Sequence, residues 1–404
     1  QEILENKDII LNSERYIKAL KLQTVFEIVK VAPFIDFIRG VTYSKDDEVS
    51  KNGIKILRAN NITIDNCLDL SDIREIGINS KVKPSQKLYK NDILICTASG
   101  SDDHVGKVAF IENNMDCYFG GFMAVIRTNE KLLAKYLYEL LKTNNFRVHL
   151  KNQISSTSIR NLKYDIFESF EIPLPPLDVQ QQIVNEIESY QKIIDGAKQI
   201  VNSYTPTFVI NPNWEMVELG EVSSLMTGGT PTSTVKDYYE GGNINWIVSG
   251  DVHKGEIFEC ENKITEAGMK NSNAKYLPVN SVLIALNGQG KTRGTVAILK
   301  CIATCNQSIV SILPNDTKQL IPEFLYYQMK GLYQVIRNIT GDKERSGLNM
   351  PIIRSIKLYL PPIDEQKSIV KAIDEELHIV EQNKKLIKLF ETKIKNKIAR
   401  VWGE

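Results

Sequence analysis

The 404-residue chain is short of several things, and each shortage removes a class of protein. No stretch approaches the roughly 18 uninterrupted apolar residues that a membrane-spanning helix needs. The opening, Gln1-Glu-Ile-Leu-Glu-Asn-Lys7, has no basic segment followed by an apolar one and no initiator Met. A secretory signal is therefore not expected, and the chain reads as cytoplasmic and as a trimmed or excised piece. Cysteine is sparse. Cys67, Cys96, Cys117, Cys260, Cys301 and Cys305 include no CxxC pair, and none lies beside a histidine at metal-ligand spacing. All six are expected to be reduced and buried, with no metal. The four histidines, His104, His149, His253 and His378, are scattered and form no triad or metal cluster in sequence. With 23 Gly and 14 Pro, the composition is not that of a fibrous or disordered chain. An excess of one charge is missing too: 50 basic residues meet 49 acidic ones, which neither demands nor excludes nucleic acid, because binding depends on where positive charge clusters.

What is present is a soluble globular composition, 42% apolar and 25% charged, long enough for two or three domains. The strongest internal signal is self-similarity. Ile172-Pro-Leu-Pro-Pro-Leu-Asp-Val-Gln-Gln-Gln-Ile-Val184 returns as Leu358-Tyr-Leu-Pro-Pro-Ile-Asp-Glu-Gln-Lys-Ser-Ile-Val370, 186 residues on. Asn91-Asp-Ile-Leu-Ile95 returns as Asn280-Ser-Val-Leu-Ile284, and Gly106-Lys-Val-Ala-Phe-Ile111 as Gly294-Thr-Val-Ala-Ile-Leu299. Tyr136-Leu-Tyr138 maps onto Phe324-Leu-Tyr326. The chain is two copies of one module. Each copy opens with short β-like runs and glycine-bearing turns, and passes through a helical stretch near residues 131–145 or 320–335 before its Pro-Pro pair.

Pro175-Pro176 and Pro361-Pro362 cannot lie inside a helix, so long helices are expected to start near Asp178 and Asp364, whose carboxylates are placed to cap free N–H groups. In the first, Ile183, Ile187, Tyr190, Ile194, Ala197, Val201 and Tyr204 step 4-3-4-3-4-3, a coiled-coil seam. The second carries Val370, Ile373, Leu377, Val380, Ile387, Ile394, Ile398 and Val401, broken by Lys384 and Glu391. Its basic end (Lys393, Lys395, Lys397, Arg400 among others) could face Glu186 and Glu188 if the helices pack antiparallel. Two unrelated amphipathic helices, each docked on its own domain, are the plainer possibility. The equal phase of Ile187, Ile194 and Val201 with Ile373, Val380 and Ile387 favours pairing. A helix of such length rises roughly 40 Å, enough to act as a rigid strut that holds two domains apart.

Leu174-Pro-Pro-Leu-Asp-Val-Gln180 and Leu360-Pro-Pro-Ile-Asp-Glu-Gln366, each followed by a long heptad helix, resemble the paired conserved regions of Type I restriction-modification specificity subunits. The second module adds Asn213-Trp-Glu-Met-Val-Glu-Leu-Gly220, Gly228-Gly-Thr-Pro231, Tyr238-Tyr-Glu-Gly-Gly-Asn-Ile-Asn-Trp246 and Ser249-Gly-Asp251, a succession similar to the opening of a target-recognition domain in that family. The first matches more loosely, through Gly40-Val-Thr-Tyr43 and Gly53-Ile-Lys-Ile-Leu-Arg58. The likeness runs from about residue 25 to the end. Leu11-Asn-Ser-Glu-Arg-Tyr16 is similar to the junction between methyltransferase and specificity region in fused systems; a plain N-terminal tail is the other reading, and both stay open.

The resemblance implies an α+β chain with two tandem α/β target-recognition domains, separated by two long antiparallel coiled-coil helices about a pseudo-two-fold axis. The expected division is a tail at 1–20, the first recognition domain at 21–176, the first helix at 177–205, the second domain at 206–362 and the second helix at 363–404. Each domain would read one half of a split double-stranded DNA site, and the helices would dock methyltransferase subunits, with the restriction or translocase subunit as a further candidate partner and no membrane involved. S-adenosylmethionine, ATP and magnesium would belong to those partners. No catalytic centre is expected here: Asn211-Pro-Asn-Trp214 lacks the second proline of an adenine-methyltransferase motif, and no nuclease pattern stands out.

Ala285-Leu-Asn-Gly-Gln-Gly-Lys-Thr292 imitates a phosphate loop, so a nucleotide-binding protein is an alternative. The mechanism needs a helix after the loop, whereas Arg293-Gly-Thr-Val-Ala-Ile-Leu299 reads as a strand, and the repeat partner, Thr97 to Gly106, lacks Lys-Thr. The same loop suits DNA better. Gln289, Lys291 and Arg293 could reach base edges or phosphates from a glycine-flanked turn. The equivalent turn offers Ser99, Ser101 and His104, followed by Lys107. A second surface is expected at Gln153, Ser155 and Ser156 in one copy and Lys343 and Arg345 in the other, with Arg58 and Trp246 as further candidates. The candidate helix seam is Ile183, Ile187, Ile194, Val201, Ile373, Val380, Ile387 and Ile394. A purely structural coiled-coil scaffold is the remaining alternative; it would not bind DNA selectively.

Overall fold

The structure is a computed structural model, which describes residues 26–99, 104–154, 162–288, 290–339 and 347–403. It divides into two compact units, residues 1–198 with 385–404, and 199–384.

Unit 1 carries strands β1 (Ile28–Lys30), β2 (Ile35–Arg39), β3 (Glu48–Val49), β4 (Ile54–Leu57), β5 (Arg74–Ile76), β6 (Ile93–Cys96), β7 (Val108–Phe110), β8 (Tyr118–Phe119), β9 (Met123–Thr128) and β10 (Glu171–Pro173). Its helices are α1 (Ala134–Leu141), α2 (Asn144–Ile154), α3 (Asp165–Ser169) and most of α4 (Leu177–Ser203). The main sheet has the order β2-β9-β6-β7, a smaller one β3-β5-β4-β8, and β1 pairs with β10. Strand β6 explains why its sequence is apolar without alternation. Ile93 and Ile95 enter the core that the helices cover, Leu94 and Cys96 the core on the opposite face, and a strand buried on both faces has no polar side to show.

Unit 2 repeats this plan with β11 (Glu215–Glu218), β12 (Ser223–Thr227), β13 (Ile244–Ile247), β14 (Glu256–Ile257), β15 (Lys263–Ile264), β16 (Val282–Ala285), β17 (Val296–Leu299), β18 (Thr304–Cys305), β19 (Ile309–Pro314) and β20 (Lys357–Leu360). Its helices are α5 (Leu219–Val222), α6 (Glu266–Lys270), α7 (Pro322–Gly331), α8 (Tyr333–Asn338), α9 (Met350–Arg354) and the first part of α10 (Ile363–Trp402). The main sheet runs β12-β19-β16-β17-β14, the smaller β15-β13-β18, and β11 pairs with β20. Val282 and Ile284 again face one core, Leu283 and Ala285 the other.

The repeated Pro-Pro-x-Asp-x-Gln motif has a physical reason in each unit. The carbonyl of Pro176 accepts the N–H groups of Val179 and Gln180, and that of Pro362 the N–H groups of Glu365 and Gln366, so each long helix opens immediately after its prolines. Asp178 and Asp364 are the second residues of their helices, two past the capping place, which Pro176 and Pro362 occupy. The glutamine does more. Gln180, fully buried, accepts the N–H of Leu133 at 2.8 Å and donates to the carbonyls of Lys131 and Pro175 at 3.1 and 2.8 Å. Gln366, also fully buried, accepts from Ile321 at 2.9 Å and donates to Gln319 and Pro361 at 2.8 and 2.9 Å. Leu133 and Ile321 precede α1 and α7, helices whose own N-cap side chains make no hydrogen bond, so the glutamine is a cap supplied by another helix.

Within unit 1, α4 and the last part of α10 run antiparallel: Lys397 binds Glu186, Phe390 packs on Tyr190 at 5.3 Å between ring centres, and Lys198 meets Glu391 at 3.4 Å. Both helix readings hold at different heights. Ile183, Val184 and Ile187 join the core of their own domain, together with Val401 and the flanking Ile394 and Ile398, and pairing takes over further along. Glu188, expected to face the basic helix end, instead meets Lys135 at 3.4 Å. Among the cysteines, Cys67 is exposed and Cys301 half-buried, contrary to the expectation of uniform burial; all six are free thiols, and burial pushes Cys305 up to about 12.

Candidate nucleic-acid interface

In each unit the first nominated loop is the connection of an antiparallel pair, β6 to β7 or β16 to β17. Glycines make these connections possible. Gly106 and Gly294 lie at φ +78° and +80°, where L side chains rarely fit, and donate to the carbonyls of Cys96 and Ala285 at 2.8 and 2.9 Å. At Gly106 a Cβ would also lie 2.2 Å from Leu150.

The chain that follows the second nominated segment of each copy lies beside the first loop. Leu162 donates to the carbonyl of Thr97 at 2.7 Å, and Leu348 to that of Leu286 at 3.1 Å. A third stretch completes the arrangement: Thr97 donates to the carbonyl of Phe122 at 2.8 Å, and Leu286 to that of Ser308 at 2.9 Å. Three pieces of chain, distant in sequence, are therefore tied edge to edge at equivalent places in both units. The third, Gly121-Phe122 in unit 1 and Gln307-Ser308 in unit 2, is absent from the sequence candidates, because nothing along the chain marks which side chains of that turn face solvent.

The individual candidates fare differently. Lys291 is exposed on its turn, with its carbonyl held by the Tyr333 hydroxyl at 2.8 Å, and Arg293 is half-buried beside it. His104 and Ser99 are half-buried on the matching loop, and Gln153 is exposed at the end of α2, donating to Ser169 at 3.3 Å. Ser101, Ser155, Ser156, Gln289, Lys343 and Arg345 lie outside the described residues.

Lys107 is a correction. Its side chain is 2% exposed, and its ammonium donates to the backbone carbonyls of Ile62 and Ala59, with burial lowering its pKa. It satisfies carbonyls inside unit 1 and cannot reach a phosphate. Arg58 is bound by Asp72 at 2.7 Å, so its charge is already countered. The Trp246 indole donates to the carbonyl of Gly229 at 3.0 Å and stands edge-on to Tyr239, which gives it a packing role. Close backbone approach explains Gly228-Gly229: a Cβ on Gly228 would lie 1.8 Å from the Cys305 carbonyl oxygen, and one on Gly229 2.7 Å from the Asn273 backbone. Gly40 is equally confined, since a Cβ there would lie 2.1 Å from the Gly120 carbonyl oxygen, which supports the looser sequence match there.

Of the seam candidates, Ile183, Ile187, Ile194, Ile373 and Val380 are buried, whereas Val201, Ile387 and Ile394 are half-buried. The phosphate-loop alternative fails on architecture, because Gly290 to Gly294 is a turn that leads into β17 where a helix N-terminus would be required. Among the described residues, no group of three or more His, Cys, Asp or Glu is placed to hold a metal ion, and no helix is long and apolar enough to cross a membrane.

The geometry defines a protein of two like units, each presenting one loop cluster. The family model of the Type I restriction modification DNA specificity domain matches residues 23–203 and again 211–392, and the chain belongs to that family. It is 24% identical over 388 residues to the specificity subunit of the Type I restriction enzyme EcoKI of Escherichia coli, covering 88% of this chain and 82% of that protein. A putative Type I specificity subunit, MjaX of Methanocaldococcus jannaschii, is 24% identical over 407 residues, with 92% of each covered. Among solved structures, the fold is similar to a chain from a study of complex assembly and conformational transition in the type I R-M system, with TM-score 0.58 and 18% identity over 94% of this chain and 97% of that one. It also resembles the S subunit of the Type I system of M. genitalium, with TM-score 0.52 and 14% identity over the same shares.

Proposed function

We propose that this chain is the sequence-reading subunit of a Type I-like restriction-modification system, in which each unit reads one half of a bipartite double-stranded DNA site through its loop cluster. The observation that carries this reading is the duplicated convergence, on the first nominated loop, of the turn at Phe122 or Ser308 and the chain at Leu162 or Leu348, tied by the same backbone hydrogen bonds at Thr97 and Leu286. Loops pinned to a two-sided sheet core present side chains in a fixed frame, which base-edge recognition needs. The chain performs no catalysis itself. Methyltransferase subunits dock on the long helices, and S-adenosylmethionine, ATP and magnesium are held by the partner subunits, in the cytoplasm where the DNA is.

The test is selection from a randomised duplex library by the full chain, with and without its co-encoded methyltransferase, followed by sequencing of the bound fraction. A split motif with a fixed gap is expected. No enrichment even with the partner would leave the coiled-coil scaffold as the better reading. Lys291→Ala with Arg293→Ala should weaken binding and lower the salt slope by up to about 2 if both contact phosphates; unchanged affinity and sequence preference would remove that loop from the interface.

A further inference from the structure

The turn between β8 and β9 holds an exposed aromatic ring that the fold does not require. Phe122 is 72% exposed, yet its backbone is firmly placed: its carbonyl accepts from Thr97 and Ala98 at 2.8 and 3.3 Å, and Met123 beside it is fully buried and donates to Gly120 at 2.8 Å. The ring faces water because a tied turn directs it there. Unit 2 supplies the control. Ser308 occupies the same place and accepts the equivalent hydrogen bond from Leu286 at 2.9 Å, so a small polar residue satisfies the backbone there. A phenyl group left in water forgoes the stabilisation of burial, and its backbone is tied here to Thr97 and Ala98, at the start of the first loop nominated as a DNA reader.

We propose that Phe122 is a specificity-determining residue of unit 1, making apolar contact with the C5-methyl group of a thymine in the half-site that unit 1 reads. The inference rests on the DNA-reading role proposed above. A phenyl ring has no donor or acceptor for a phosphate or for a base's polar edge; the thymine methyl is the apolar group that the major groove offers. Unit 2 presents Gln307-Ser308 at this place, with the Gln307 amide oxygen already accepting from the Thr230 hydroxyl, so the two units offer opposite chemistry from one backbone position.

Library selection with the full chain and its methyltransferase, comparing wild type, Phe122→Ser and Phe122→Leu, tests this. Wild type should enrich a split motif; if it enriches none, the DNA-reading role itself fails. Phe122→Ser should lose thymine preference at one position of one half-site and leave the other half-site intact, and Phe122→Leu should retain it. Deoxyuridine in place of that thymine should weaken wild-type binding by about fourfold, the worth of one buried carbon group, and leave Phe122→Ser unaffected. An unchanged motif in Phe122→Ser, a uniform loss at every position as expected if the ring docks a protein partner or wedges between base steps, or indifference of wild type to deoxyuridine would each overturn the proposal.

Discussion

Units 1 and 2 share a backbone plan but satisfy its buried polar groups differently. In both, an asparagine at positive φ, Asn91 or Asn280, turns the chain into the central strand. The next residue is Asp92 in unit 1, whose carboxylate accepts from Arg127 Nε and Nη2 at 2.8 and 2.9 Å and from the Tyr89 N–H at 2.9 Å. In unit 2 it is Ser281, fully buried, which donates to the Pro278 carbonyl at 2.7 Å. Likewise, where Lys107 reaches the carbonyls of Ile62 and Ala59, the matching Thr295 donates to the Lys291 carbonyl four residues away at 2.7 Å. The frame comes from strand order and glycine turns; each unit then meets its polar demands with whatever side chain stands there. A matched position is thus good evidence of matched backbone and poor evidence of matched side-chain role.

The Gln latch is the exception, with the same residue and the same three partners in both units, and it offers the most severe test. Gln180→Ala and Gln366→Ala should each cost about 3 kcal/mol, because a helix-start N–H and two carbonyls lose their partner in the core. Hydrogen exchange should localise each loss to one unit; equal loss of protection in both units for either variant would break the idea of independent latches. Asp92→Ala should cost about 2 kcal/mol in unit 1, since it strands the half-buried Arg127, whereas Ser281→Ala should cost about 1 kcal/mol in unit 2. Denaturant midpoints would show whether that order reverses.

A smaller contrast concerns charge. Lys107→Met should leave the salt dependence of DNA binding unchanged, while Lys291→Ala should reduce the slope by about 1, because only the exposed lysine can release counterions. The smallest effect is at the helix pair. Burial raises the Glu186 pKa, but the hydrogen bonds from Lys397 and Tyr190, with the nearby positive charge, outweigh it and hold the carboxyl below the usual 4.5. Its contribution is therefore complete above about pH 4.5 and lost as pH falls through the lower folded value. With both side chains partly exposed, it amounts to less than about 1 kcal/mol. Glu186→Gln should flatten the acid limb of unit 1 stability by that amount; an unaltered limb would place acid sensitivity elsewhere.

Much of this was legible beforehand where the cause is local. Gly106 and Gly294 mark hairpin connections because their conformation excludes side chains, and the two Pro-Pro pairs mark helix starts because proline cannot follow a helical turn. The motif glutamines were legible as a pattern but not as caps, since Leu133 and Ile321 lie far from them in sequence. Lys107 is illegible for the same kind of reason: beside a glycine turn it reads as a surface cation, and only the segment from Ala59 to Ile62 shows where its ammonium goes.

The amino-acid order by itself determined that there are two copies of one module, that each ends in a long helix after paired prolines, and that a phosphate loop was imitated at Ala285 to Thr292 without the helix it needs. Periodicity, proline and glycine act within a few residues, so their consequences can be read along the chain. Tertiary structure alone decided which polar and aromatic side chains face water. Phe122 is offered to solvent because Thr97 holds its turn, and Lys107 is withdrawn because Ile62 receives its charge; in both cases the deciding residue is brought near only by folding.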